Sequence, residues 1–122
     1  MNINDSSKKL IKEVIETFAS EEIQNRAWLK KDPKILLDPE DFFEWFGDIG
    51  ITKNAKPDYL TQEEWELINN FLNDQEKFIN DYGDYVFNNI GRHLERMLTF
   101  DPWIDFRGKA QKVLFELEKL GW

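Results

Sequence analysis

The only histidine of this sequence, His93, is its most obvious candidate for proton transfer, because an imidazole titrates near neutral pH without help from its surroundings. General acid–base work needs a nucleophile or carboxylate beside it, and a di-metal helix needs a glutamate three residues earlier. Ile90 stands there instead, preceded by Asn89. On a helical wheel His93 flanks an apolar face, which predicts a half-buried residue at the edge of the core. There is no cysteine, hence no thiolate nucleophile, disulfide or sulfur-ligated metal. Glycine-rich phosphate loops, an H-E-x-x-H pair and an EF-hand loop are all missing. An all-carboxylate magnesium or calcium site is the one metal chemistry the composition leaves open, although acid runs are more often solvated faces. The expectation is a non-enzyme without metal or cofactor.

Carboxylates are the chemistry that is present in excess. The formal charge is −8 over 122 residues, and it is unevenly placed. Residues 1–37 carry seven Lys/Arg against six Asp/Glu, and residues 85–122 carry six against five. Residues 38–84 carry three against thirteen. Charge selected for solubility alone would be more evenly interspersed. Glu40, Asp41, Glu44 and Asp48 fall on one face of a predicted helix, where like charges four residues apart oppose helix formation. Glu63, Glu66, Asp74 and Asp81 fall opposite Trp65 on the next helix, relieved only by Lys77. With Asp38 and Asp58, these acids form the candidate binding surface. Two small basic clusters, Lys30/Lys31/Lys34 and Arg92/Arg96/Arg107/Lys109/Lys112, are each balanced nearby, so direct nucleic-acid binding is not expected.

Helical periodicity runs through almost the whole chain, with no internal repeat and no stretch alternating with period two. Leu10, Ile11, Val14, Ile15 and Phe18 form the apolar stripe of a first helix, capped from Asp5 to Ser7. Ser20 opens a shorter one through Trp28, and a single turn is expected over Lys34 to Leu37. Asp38-Pro39 begins a helix whose apolar arc is Phe42, Phe43, Trp45, Phe46 and Ile49, with Leu37 and Phe42 placed as a hydrophobic staple. Residues 51–60 read as a loop. Thr61-Gln62-Glu63-Glu64 is a capping box, with Leu60 and Trp65 as a staple. The helix it opens buries Trp65, Leu67, Ile68, Phe71, Leu72, Phe78, Ile79 and Tyr82 until Gly83 stops or kinks it. Gln75 falls within that stripe and needs a hydrogen-bond partner. A further helix carries Val86, Phe87, Ile90, Leu94, Met97 and Leu98. Asp101-Pro102 starts the last, which Gly121 closes, leaving Ile104 and Phe115 off its stripe. The predicted fold is all-α, a compact single-domain bundle of five or six helices over residues 1–122.

No apolar run approaches a membrane span, no leader is recognisable, and Asn4-Asp5-Ser6 therefore reads as a chance glycosylation match; the expected compartment is the cytoplasm. A concentrated negative potential steers a basic partner and speeds its association. In size, charge and lack of motifs the chain resembles bacterial immunity proteins. That resemblance implies a small acidic inhibitor or antitoxin covering the active site of a basic, nuclease-type toxin. The alternatives are a helical adaptor or regulatory subunit using exposed Ile104, Phe115 and Trp122, a phage-type DNA mimic, and a carboxylate-metal enzyme.

Overall fold

The computed structural model describes residues 3–35 and 38–122, with the backbone alone for residues 3–5 and 39–42. Five α-helices follow in order: α1 (Ile3–Ala19), α2 (Glu21–Gln24), α3 (Pro39–Asp48), α4 (Gln62–Tyr85) and α5 (Asp101–Lys119). The fold is all-α, and no strand occurs among the described residues. No helix among them is long and apolar enough to cross a membrane.

Three long helices make the frame. Lys8 at the start of α1 and Glu64 at the start of α4 meet, as do Phe18 and Phe71 further along, so α1 and α4 run parallel. Trp122 meets Glu64, Phe106 meets Phe71, and Trp103 meets Phe78, so α5 runs antiparallel to α4. Phe18 sits at the centre, 1 % exposed, with the rings of Trp45, Phe46, Phe71, Trp103 and Phe106 at 5.6–6.5 Å. The edge-to-face pairs with Trp45, Phe71 and Phe106 add to the apolar burial that drives folding. α3 lies on this core through Phe46, which meets Phe18 and Phe71, and Phe43, which meets Phe78 and Trp103.

Buried polar side chains tie the frame together. Gln24, 1 % exposed, donates its amide to the carbonyls of Thr17 and Phe18. Its carbonyl accepts from Trp103 Nε1 at 3.0 Å and Arg107 at 3.2 Å. All its bonding capacity is therefore used where water cannot reach. Gln75 donates to the Phe43 carbonyl at 2.7 Å, fastening α3 to α4, while its Oε1 has no partner among the described residues.

Several expectations meet the backbone as drawn. The Thr61–Glu64 capping box is formed in both directions, and Ser20 caps α2. Residues 51–60 are non-helical and clipped to α4: Asn54 N–H donates to Asn69, and Lys53 pairs with Glu76 at 2.6 Å. At the end of α5, Gly121 adopts φ +96°, its N–H reaches the Glu118 carbonyl, and Trp122 N–H reaches that of Leu117. These two bonds constitute a Schellman closure.

Others are corrected. α1 begins at Ile3, so Asp5 to Ser7 lie inside its first turns and do not cap it. The second segment leaves α2 as a π turn over Asn25–Leu29. The expected staple of Leu37 with Phe42 lies outside the described residues, as do Leu36 and Leu37 of the expected single turn. Gly83 does not stop α4, which runs on to Tyr85. It is buried within the helix, where an added Cβ would stand 3.4 Å from Ile79 Cγ2, an ordinary van der Waals contact. The separate helix expected over Val86–Leu98 is a π turn (Val86–Ile90), a break at Gly91 with φ +50°, and a 3₁₀ segment (Leu94–Thr99). Val86, Ile90 and Met97 are buried as expected, but Phe87 is exposed. His93 sits in the intervening turn, its side chain 62 % exposed and 3.6 Å from Glu95, and not at a core edge.

Candidate functional site

The acids of residues 38–84 divide according to what the fold does with them. Glu64 is withdrawn from the surface altogether. One carboxylate oxygen accepts from Thr61 N–H at 2.8 Å; the other accepts from Trp122 Nε1 and from Lys8 at 3.2 Å. Burial by itself raises this carboxyl, but the Thr61 N–H, the Trp122 indole and the Lys8 ammonium together hold it below the ordinary glutamate range. Trp122 is therefore a half-buried closing residue and not the exposed aromatic that sequence suggested. Glu76 is paired with Lys53, and Asp74, half-buried, with Lys109 at 3.7 Å.

The remaining candidates face solvent. Asp38 is exposed just before α3, and Glu44 and Asp48 are exposed one turn apart on that helix. Glu40 and Asp41 belong to the backbone of α3, but their side chains lie outside the described residues. Asp58 is exposed in the loop, and Glu63 and Glu66 in the first turns of α4, where Gln62 donates to Glu66 at 3.3 Å. Asp81 is exposed near the end of α4. Among the described residues, Glu44, Asp48, Asp58, Glu63, Glu66 and Asp81 form no ion pair.

These side chains do not make one face. At about 100° per residue, Glu63, Asp74 and Asp81 fall within about 20° of one another along α4, whereas Glu76 lies about 160° from Asp74. The Asp74 row borders α5, as its bond to Lys109 shows; the Glu76 flank borders the loop and α3. Glu44 and Asp48 are thus on the far side of α4 from Asp74 and Asp81.

The α5 border holds residues that sequence reasoning passed over. A cleft of about 180 Å³ between α4 and α5 is lined by Asp74, Lys77, Asp81 and Tyr82 from one side and by Asp105 and Lys109 from the other. Tyr82 was expected in the core, yet it is 37 % exposed, and Tyr85 beside it is 47 % exposed. Phe100 packs against both, edge-on to Tyr82 at 5.7 Å and stacked on Tyr85 at 4.9 Å. Asp84, Asp101 and Asp105 are exposed around them, and none forms an ion pair among the described residues. Asp101 and Asp105 are legible as a like-charged pair one turn apart; the approach of Asp105 to Asp81 depends on how α4 and α5 pack. Among the described residues no three His, Cys, Asp or Glu are grouped to hold a metal ion. The surface can therefore offer spread negative charge and flat apolar rings. The chain matches no known family model, no curated protein and no solved structure.

Proposed function

We propose that this protein is a small acidic binding protein that inhibits a basic partner by covering it, in the manner of an immunity protein or antitoxin against a nuclease-type toxin. The observation that carries this reading is the surplus of thirteen acids over three bases in residues 38–84, many of them exposed and without an ion pair on helices anchored in an aromatic core. Charges held on packed helices lose little conformational freedom on binding, so their Coulomb attraction is less offset by ordering. A nuclease is cationic where it grips phosphate, which makes its active site the natural complement.

The test is to capture the partner by affinity, then measure its nuclease activity and its association rate with the wild-type protein at two ionic strengths. Support is stoichiometric inhibition, with association that falls steeply as salt rises. Salt-independent association, or a captured partner without a basic surface, refutes the reading. A second reading, an adaptor that binds through apolar groups, draws on Phe115: it is 57 % exposed beside a groove between α1 and α5. Loss of partner capture on Phe115→Ala, with capture by Glu44→Lys retained, would favour it.

A further inference from the structure

We propose that the aromatic ridge of Tyr82, Tyr85 and Phe100, rimmed by Asp81 and Asp105, is the element that receives arginine side chains of the basic partner. This deepens the reading above and rests on it, because it names where on the acidic surface that partner docks and through which group.

Three independent features of the ridge converge. The first is exposed aromatic area that is already ordered. Tyr85 stacks on Phe100 with 27° between the rings, Tyr82 meets Phe100 at 89°, and Tyr82 is backed by Phe78 at 5.6 Å. Each tyrosine is thus fixed on one side and open on the other, so little rotamer freedom is left to lose when a partner covers it. The second is a surplus of negative charge: three aspartates, Asp74, Asp81 and Asp105, line the cleft against two lysines, Lys77 and Lys109. Asp81 and Asp105 reach the same cleft from different helices, and neither forms an ion pair among the described residues. Asp74, in the same cleft, is already engaged by Lys109. The third is composition. Tyrosine and arginine are both enriched among the residues that dominate binding energy, and such residues tend to meet one another across an interface.

Arginine fits this combination better than lysine. Its planar, weakly hydrated guanidinium can lie flat on a tyrosine ring while its N–H fork addresses a carboxylate at the ring's edge. An ammonium satisfies the carboxylate but gains less from the ring and holds its water more strongly.

The experiment uses the whole isotope-labelled protein and two defined probes, hexa-arginine amide and hexa-lysine amide, titrated by NMR at low salt. Hexa-arginine is expected to move the ring signals of Tyr82, Tyr85 and Phe100 and the amides of residues 81–85 and 100–105 first. It should bind about threefold or more tighter than hexa-lysine, the margin expected of stacking at an exposed site. Tyr85→Ala should remove that margin, and Asp81→Asn with Asp105→Asn should weaken both peptides, with the remaining spectrum unchanged. Shifts centred on Glu44 and Asp48, shifts spread evenly over all exposed acids, or equal affinity for the two peptides would overturn the assignment. Those outcomes leave the inhibitory reading standing, since that is decided separately by the captured partner and its salt dependence.

Discussion

Replacing Glu64 by glutamine tests whether the ends of the chain are locked by one buried carboxylate. The side chain is 6 % exposed and joins three places: the first turn of α4, Lys8 of α1 and the last residue, Trp122. Glutamine keeps the shape, and its carbonyl can still accept from Thr61 N–H. Its amide group, however, then faces the Trp122 indole N–H and the Lys8 ammonium, donors against a donor. Hydrogen bonds to a buried charge are each worth about 1.5–3 kcal/mol. The Lys8 contact belongs at the low end, because the lysine side chain is 32 % exposed and water screens it. The expected loss is about 2–4 kcal/mol, a large share of a stability of about 5–15 kcal/mol. Urea denaturation of the wild type and the variant measures it directly, and Trp122→Phe in both backgrounds isolates the indole bond. The native carboxyl titrates below its unfolded value, so the contribution is complete above the ordinary glutamate range and disappears as pH falls through the native value. The two stability curves should accordingly lie apart at neutral pH and converge in acid. A neutral-pH difference under about 0.5 kcal/mol would refute the lock, because the loss of even one charge-assisted bond exceeds it.

Gln24→Leu should cost about 3–5 kcal/mol in the same assay, because it leaves the buried Trp103 indole N–H and one Arg107 N–H without their acceptor. Trp65→Ala should lower stability by about 3–5 kcal/mol, as expected for a large core side chain that is only 6 % exposed. Two glycines should respond in opposite directions. Gly108→Ala, in mid-helix with nothing within 4 Å of its new methyl, should raise stability by about 0.5–1 kcal/mol. Gly121→Ala has the same open space but must hold φ +96°, and should lower stability by about 1–2 kcal/mol; comparing melting curves of the two variants checks both.

What the sequence disclosed was the structure whose causes are local. The Thr61–Glu64 box, the Ser20 cap and the Gly121 closure all form, since each depends on residues within five positions of one another. Helical spacing also identified Val86, Ile90 and Met97 as buried, although the backbone between them is not α-helical. That same assumption misplaced His93: beyond Gly91 the helical phase is broken, so a continuous wheel no longer describes where the imidazole points. The buried ties were out of reach for a different reason. Gln24 meets Trp103 across 79 positions and Glu64 meets Trp122 across 58, and no periodicity reports on such pairs. For the candidate surface, the excess of acid was legible, but its division was not. Glu63, Asp74 and Asp81 could be seen to share a row on α4; only the packing of α5 sets Asp105 and Phe100 beside that row.

The fold separates two uses of carboxylate chemistry. Where an acid is spent on holding the molecule together, a cation or a ring N–H meets it: Lys8 and Trp122 at Glu64, Lys53 at Glu76, Lys109 at Asp74. Where it is not, the acid stands exposed without an ion pair among the described residues, as at Glu44, Asp48, Asp81 and Asp105. Uncompensated like charges raise the free energy of the folded chain, and a scaffold selected for stability alone would place lysines among them. The aromatic interior through Phe18, Phe71 and Phe106 supplies the margin against that repulsion. A basic partner of the kind proposed would remove it, so binding and relief of that repulsion would act in the same direction: the charge that weakens the free protein would strengthen the proposed complex.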